Sequence, residues 1–184
     1  MNRKYYTGLI IVSSLLLLTS LYYHVLRQYS DDASTALVYS RVSDIQEFIG
    51  GTVEDRKAYL FYLNHSDQIV GNSMTRNFFG WKLKDSATGT GLEVDVKQTL
   101  SKAGVGPLQS KHKFYFGLVS VDNVDRILVD EQHEAKLIAL DSQLPDLSEN
   151  KFLWYVYFND DLMEDSYKVE VFNKENEVVY SSSY

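Results

Sequence analysis

Hydrophobic and polar positions divide this chain into two unequal parts. From Tyr5 to Leu26 no residue carries a fixed charge, and the centre, Gly8 to Leu18, is apolar apart from Ser13 and Ser14. About 20 apolar residues cross a bilayer as a helix, so the run predicts a transmembrane helix over 5–26. Ser13, Ser14 and Thr19 can return their hydroxyls to helix carbonyls, which makes them cheap in lipid. Tyr5 and Tyr6 flank one end and Tyr22 and Tyr23 the other, the pattern of interfacial aromatic belts. A cleaved signal peptide is the rival reading, but the exit Leu18-Thr19-Ser20-Leu21 offers a poor cleavage site.

Past the apolar run the periodicity changes. Ser30-Asp31-Asp32 reads as a helix start, with a hydroxyl cap and carboxylates near the positive end of the dipole. Leu37, Val38, Arg41 and Val42 keep helical spacing, which predicts a short helix over 32–43. A longer helix would stop at Gly50-Gly51, whereas Ile45–Ile49 also reads as a strand leading into a turn there. Strand signals then dominate: 58–63, 68–70, 77–83, 114–121 and 151–158, with hairpins over 125–130/134–140 and 167–172/177–180. Residues 85–91 read as a flexible loop, and 92–112 are weakly patterned up to Gly104-Val105-Gly106-Pro107. The predicted fold is mainly β, with α+β as the alternative: a transmembrane helix, a short helix, then an antiparallel β-sandwich or curled sheet. The domain organisation is a cytoplasmic tail (1–4), the transmembrane helix (5–26), a linker (27–34) and an extracytoplasmic mainly-β domain (35–184).

Charge adds orientation. Arg3 and Lys4 precede the apolar run, while Asp31 and Asp32 follow soon after Arg27. The more positive flank stays in the cytoplasm, so the C-terminal domain is expected outside, in a single-pass arrangement. Secretion after signal cleavage is the alternative. Beyond Leu26 there are 16 basic and 25 acidic residues, a balance of −9. Such a domain is repelled by anionic headgroups and is expected to stand off the surface, and nucleic acid is not an expected partner. The absence of cysteine excludes a disulfide scaffold, thiol catalysis, cysteine-ligated metal and a lipoprotein anchor.

The candidate chemistry is thin. Gly71-Asn72-Ser73-Met74-Thr75 lacks the closing glycine of a nucleophile elbow. His133-Glu134 is followed at 137 by leucine, which breaks the zinc-protease spacing. The acidic stretch 159–165 lacks the glycine of a calcium loop, so it reads as a solvated connection. Gly89-Thr90-Gly91 lacks the third glycine of a dinucleotide site. Leu144-Pro145-Asp146-Leu147-Ser148 lacks the end of a wall-sorting motif. No catalytic, metal or cofactor site is expected. The one stretch with binding content is Lys151–Phe158. There Phe152, Trp154, Val156 and Phe158 share one face, and Leu153, Tyr155 and Tyr157 the other. The strand is either covered on both sides, with Trp154 in the core, or it offers Tyr155 and Tyr157 as a binding face.

Ala58–Leu63, Phe79-Gly80-Trp81-Lys82, Gly117, Ile127–Val129, Ala135–Ile138, Leu153-Trp154-Tyr155 and Val169–Tyr180 together form a pattern. It resembles a loose group of uncharacterised small membrane-anchored or secreted proteins of Bacillus-type bacteria. The resemblance implies an architecture and supplies no catalytic residues. The functional expectation is a non-enzymatic, membrane-anchored domain that binds an extracytoplasmic protein or envelope component, with the bilayer itself as the partner of residues 5–26. Two alternatives stand beside it. One is an accessory or immunity-type protein acting through its transmembrane helix, where Gly8, Ser13 and Ser14 could pack. The other is a cell-envelope hydrolase.

Overall fold

The apolar run forms one helix, α1 (Arg3–Leu26), in the computed structural model, which describes residues 3–41, 43–91, 100–105, 114–120, 124–140, 151–158 and 167–183. Its stretch Gly8–Leu26 is long and apolar enough to span a membrane or to serve as a signal sequence, and none of it is buried against the rest of the chain. Ser13 Oγ donates to the Ile10 carbonyl at 3.0 Å and Thr19 Oγ1 to the Leu15 carbonyl at 2.9 Å, so these hydroxyls are satisfied within the helix.

A second helix, α2 (Ala33–Arg41), follows. Its cap is Asp32, whose carboxylate accepts from the Thr35 backbone N–H at 2.9 Å. The expected cap, Ser30, is engaged elsewhere through its backbone. The first four strands are β1 (Ile45–Glu54), β2 (Lys57–Asn64), β3 (Gln68–Asn77) and β4 (Gly80–Gly91). They form an antiparallel meander in the order β1-β2-β3-β4. Next come β5 (Leu100–Val105), β6 (Phe114–Ser120), β7 (Val124–Val129), β8 (His133–Glu134) and β9 (Lys136–Ala139). The last three are β10 (Lys151–Tyr157), β11 (Lys168–Asn173) and β12 (Val178–Ser183). These eight make two more antiparallel sheets, ordered β5-β6-β10-β9 and β12-β11-β7-β8.

The three sheets and α2 stack as layers, and strand alternation decides the stacking. On β2, Ala58, Leu60 and Tyr62 face α2, where Ala33, Ala36 and Leu37 follow the spacing of one helix face. The alternate residues Tyr59, Phe61 and Leu63 face the second sheet, meeting Phe116, Leu118, Leu153 and Tyr155. The other face of that sheet, with Tyr115, Val119, Trp154 and Val156, packs on Ile127, Val129, Val169 and Val171 of the third. The second sheet is therefore interior on both sides, which is why β10 has no polar face.

Several predicted boundaries are corrected. Gly50-Gly51 lies inside β1, paired with Phe61 and Leu60 of β2 just past a register shift between Phe48 and Gly50, rather than forming a turn or a helix stop. Residues 85–91 are the second half of β4 and not a loop. The predicted strand 77–83 is a hairpin instead: Asn77 pairs with Gly80 across a two-residue turn, Phe78-Phe79. The run 134–140 splits, because β8 joins the third sheet and β9 the second. Within residues 27–34, the Ser30 N–H donates to the Trp81 carbonyl at 3.0 Å, and the Trp81 N–H returns to the Ser30 carbonyl at 2.6 Å. Residues 92–99, 106–113, 141–150 and 159–166, with the acidic stretch and Leu144–Ser148 among them, lie outside the described residues.

Candidate functional site

Alternation on β10 brings Tyr155 and Tyr157 to the same face, as the sequence predicts, but that face is covered by the first sheet. Tyr155 is only 1 % exposed. Its ring meets Phe61 at 5.0 Å between centroids, and its hydroxyl shares a hydrogen bond with Thr52 Oγ1. Tyr157 is half-buried, stacked on Tyr59 at 4.6 Å, and its hydroxyl donates to Glu54. The two rings therefore do not form an open platform. They form the wall behind a polar cluster contributed by three strands.

That cluster is Glu54 at the end of β1, Lys136 at the start of β9 and Tyr157 on β10. Lys136 pairs with Glu54, and its ammonium also lies 5.7 Å from the centre of the Tyr157 ring. Hydrogen bonds from Lys136 and Tyr157 hold the Glu54 carboxyl below the usual carboxylate range. The bond to Glu54 raises Lys136, and Glu54 together with burial raises Tyr157. Burial pushes the Tyr59 phenol up to about 12. Each of these shifts moves its group away from neutrality. At pH 7 the cluster holds a carboxylate, an ammonium and neutral phenols, which suits fixed polar recognition better than proton transfer.

Beside the cluster runs an open groove of about 670 Å³. Gly51 and Thr52 of β1 line one side, and Glu134, Lys136, Leu137 and Ile138 of β8 and β9 the other, with Asp125 and Tyr155 also contributing. Both β1 and β9 are terminal strands of their sheets. An edge strand presents a row of backbone N–H and C=O groups to any extended chain laid beside it. Gly51 sets how closely β1 approaches β2 along this groove. A Cβ there would meet the Tyr59 carbonyl oxygen at 1.9 Å, so only glycine lets β1 lie this close to β2.

No protein-family model, curated protein or solved structure matches this chain.

Among the described residues no three His, Asp or Glu side chains gather as a metal site. Ser73 sits within β3, paired with Tyr59 and Asp85, rather than on a strained elbow. His65 is exposed in the β2–β3 turn, and the His133 ring packs against Phe158 at 4.6 Å. Buried Asn72 is fully used: its amide donates to the Leu60 and Val70 carbonyls, and its oxygen accepts from Ser86. Glu54, Lys136 and Thr52 escaped the sequence reading because their partners lie 82 to 103 residues away. Only the tyrosine alternation on β10 pointed to this face.

Proposed function

We propose that the chain is a single-pass membrane protein with a cytoplasmic N-terminus, and that its β domain, displayed outside the membrane, binds an extended segment of a partner protein in the groove between β1 and β9. The carrying observation is the groove itself, bounded by two edge strands and lined by Lys136, which Glu54 holds from beside it. Strand addition would supply backbone hydrogen bonds, and the flanking charges of Asp125, Glu134 and Lys136 would select the side chains. The orientation is supported by Arg3 and Lys4 ahead of the apolar run. In this reading the domain is a binding module without catalysis, in keeping with pKa directions that leave none of the cluster groups near neutrality.

A photo-crosslinking residue at Glu134 in the full chain, made in its cell envelope, tests the groove. It is expected to trap one discrete protein partner, with the adduct reduced about tenfold by Lys136→Glu, a change of ~1.4 kcal/mol in binding. The same residue at His65, in a turn that does not line the groove, is expected to trap nothing. Equal adducts from both positions, or an adduct indifferent to Lys136→Glu, would remove the groove from the function.

A further inference from the structure

The β3–β4 hairpin breaks a local rule. Two-residue hairpin turns favour glycine and asparagine, yet this one is Phe78-Phe79. Asn77 stabilises the turn by accepting from the Phe79 N–H at 2.9 Å, and Gly80 closes it at φ 116°. Phe78 is 98 % exposed and Phe79 is half-exposed, so the turn holds two large rings in solvent. Sequences violate local preferences most often where function demands it.

The position of this tip suggests the reason. Phe79 packs on Tyr29 at 5.7 Å, and Asn77 donates to the Tyr29 hydroxyl at 3.3 Å. Tyr29 is three residues past the end of α1. Ser30, next in line, makes reciprocal backbone bonds with Trp81 and lies so close to Gly80 that a Cβ there would meet its carbonyl oxygen at 2.5 Å. The hairpin is thus clamped beside the point where the chain leaves α1, a helix whose last turns carry Tyr22 and Tyr23. Arg27, Arg56, Arg76 and Lys82 lie at this end, and among the described residues none is in an ion pair. Lys82 and Arg27 line a cleft of about 440 Å³ with His24, at the very end of α1. The acids at this end are Asp31, the capping Asp32, Asp55 and Glu54, the last in register with Lys57, so basic and acidic groups are near balance here, unlike the domain as a whole.

We infer that the Phe78-Phe79 tip inserts into the membrane interface beside α1, with Arg27 and Lys82 meeting anionic headgroups, so that the β domain is seated on the bilayer. Aromatic rings with cationic neighbours suit that boundary, where the ring leaves water and the charge stays at headgroup level. The seating departs from the expectation that net charge holds the domain off the surface, because the −9 balance is not shared by this end of the domain. The inference rests on α1 spanning the bilayer.

The chain has no cysteine, so single cysteines can carry a polarity-sensitive fluorophore. Full-length Phe78→Cys, His65→Cys and Leu16→Cys proteins are labelled and reconstituted in protein-free vesicles of mixed phosphatidylcholine and phosphatidylglycerol. The label at 78 is expected to shift to the blue and to be quenched by lipid carrying a nitroxide near the headgroup. The label at 65, at the far end of β2 and about 25 Å away by strand rise, is expected to remain water-like. The shift at 78 is expected to weaken in a background of Arg27→Gln and Lys82→Gln. A water-like label at 78 with 16 in hydrocarbon would overturn the seating and leave the anchor standing. It would also hand the exposed tip to a protein partner. A water-like label at 16 would overturn the anchor and the seating together.

Discussion

Trp154 and Tyr155 are neighbours on β10 that belong to different cores, and they separate two kinds of residue effect. Trp154 is fully buried against the third sheet, and its Nε1 finds no partner among the described residues. Trp154→Ala is expected to cost ~3–5 kcal/mol through lost transfer energy and a cavity. Trp154→Phe is expected to cost far less, because it keeps most of the ring and removes a donor that gains nothing here. Thermal melts of the full chain in detergent compare the two, and equal losses would mean the indole N–H is bonded after all. For the tyrosines, Tyr157→Ser is expected to leave a folded chain with Glu54 loosened, whereas Tyr155→Ser empties a core site and lowers the melting temperature sharply. Alternation made the two faces of this strand legible in sequence. That both faces are covered was not legible, because the residues covering the tyrosine face come from a sheet nearly a hundred positions away.

The Glu54–Lys136 pair gives a pH signature at the same scale. Glu54 has a lowered pKa in the folded chain, so its contribution is present above the ordinary carboxylate value and is lost as pH falls through the lowered one. Lys136 is raised, so its contribution is present below the ordinary lysine value and is lost as pH climbs through the raised one. Both side chains are about two-fifths exposed, so the pair is worth little to global stability. Its effect is expected in the groove: partner crosslinking from Glu134 should fall on the acid side in the parent chain. In Glu54→Gln it should start low and show a flatter acid limb. Identical acid limbs would show that the pair does not order the groove.

At the scale of elements, the errors of the sequence reading share one cause. Gly50-Gly51 and Gly89-Thr90-Gly91 carry turn chemistry but lie inside long strands, while Phe78-Phe79 carries strand chemistry but forms a turn. Glycine marks a close backbone approach as readily as it marks a turn, and only the neighbouring strand tells the two apart. Gly51 is the sharpest instance, because the obstacle to a side chain there is backbone and cannot swing aside. Gly51→Ala is expected to destabilise the chain by about 2 kcal/mol or more. Substituting Glu47, exposed on the same strand, with alanine is expected to stay within about 0.5 kcal/mol. A Gly51→Ala chain that melts like the parent would mean β1 does not pass so near Tyr59.

For the molecule as a whole, the layered arrangement assigns each surface a separate role. α2 closes one side of the stack and leaves the first sheet with both faces covered. The second sheet is interior, and the groove opens where the edges of β1 and β9 come together. The mainly-β class was legible from alternation and turn spacing, whereas the stacking of three sheets was not, since it depends on which edges meet. The proposed function depends most on α1 staying in the membrane with the β domain outside. Single cysteines at Asn2 and at Glu175, the latter in the exposed β11–β12 turn, test it in intact protoplasts treated with a membrane-impermeant maleimide. The account predicts immediate labelling of an uncleaved, full-length chain at 175, with labelling at 2 only after lysis. Labelling at 2 in intact cells with 175 protected would contradict it.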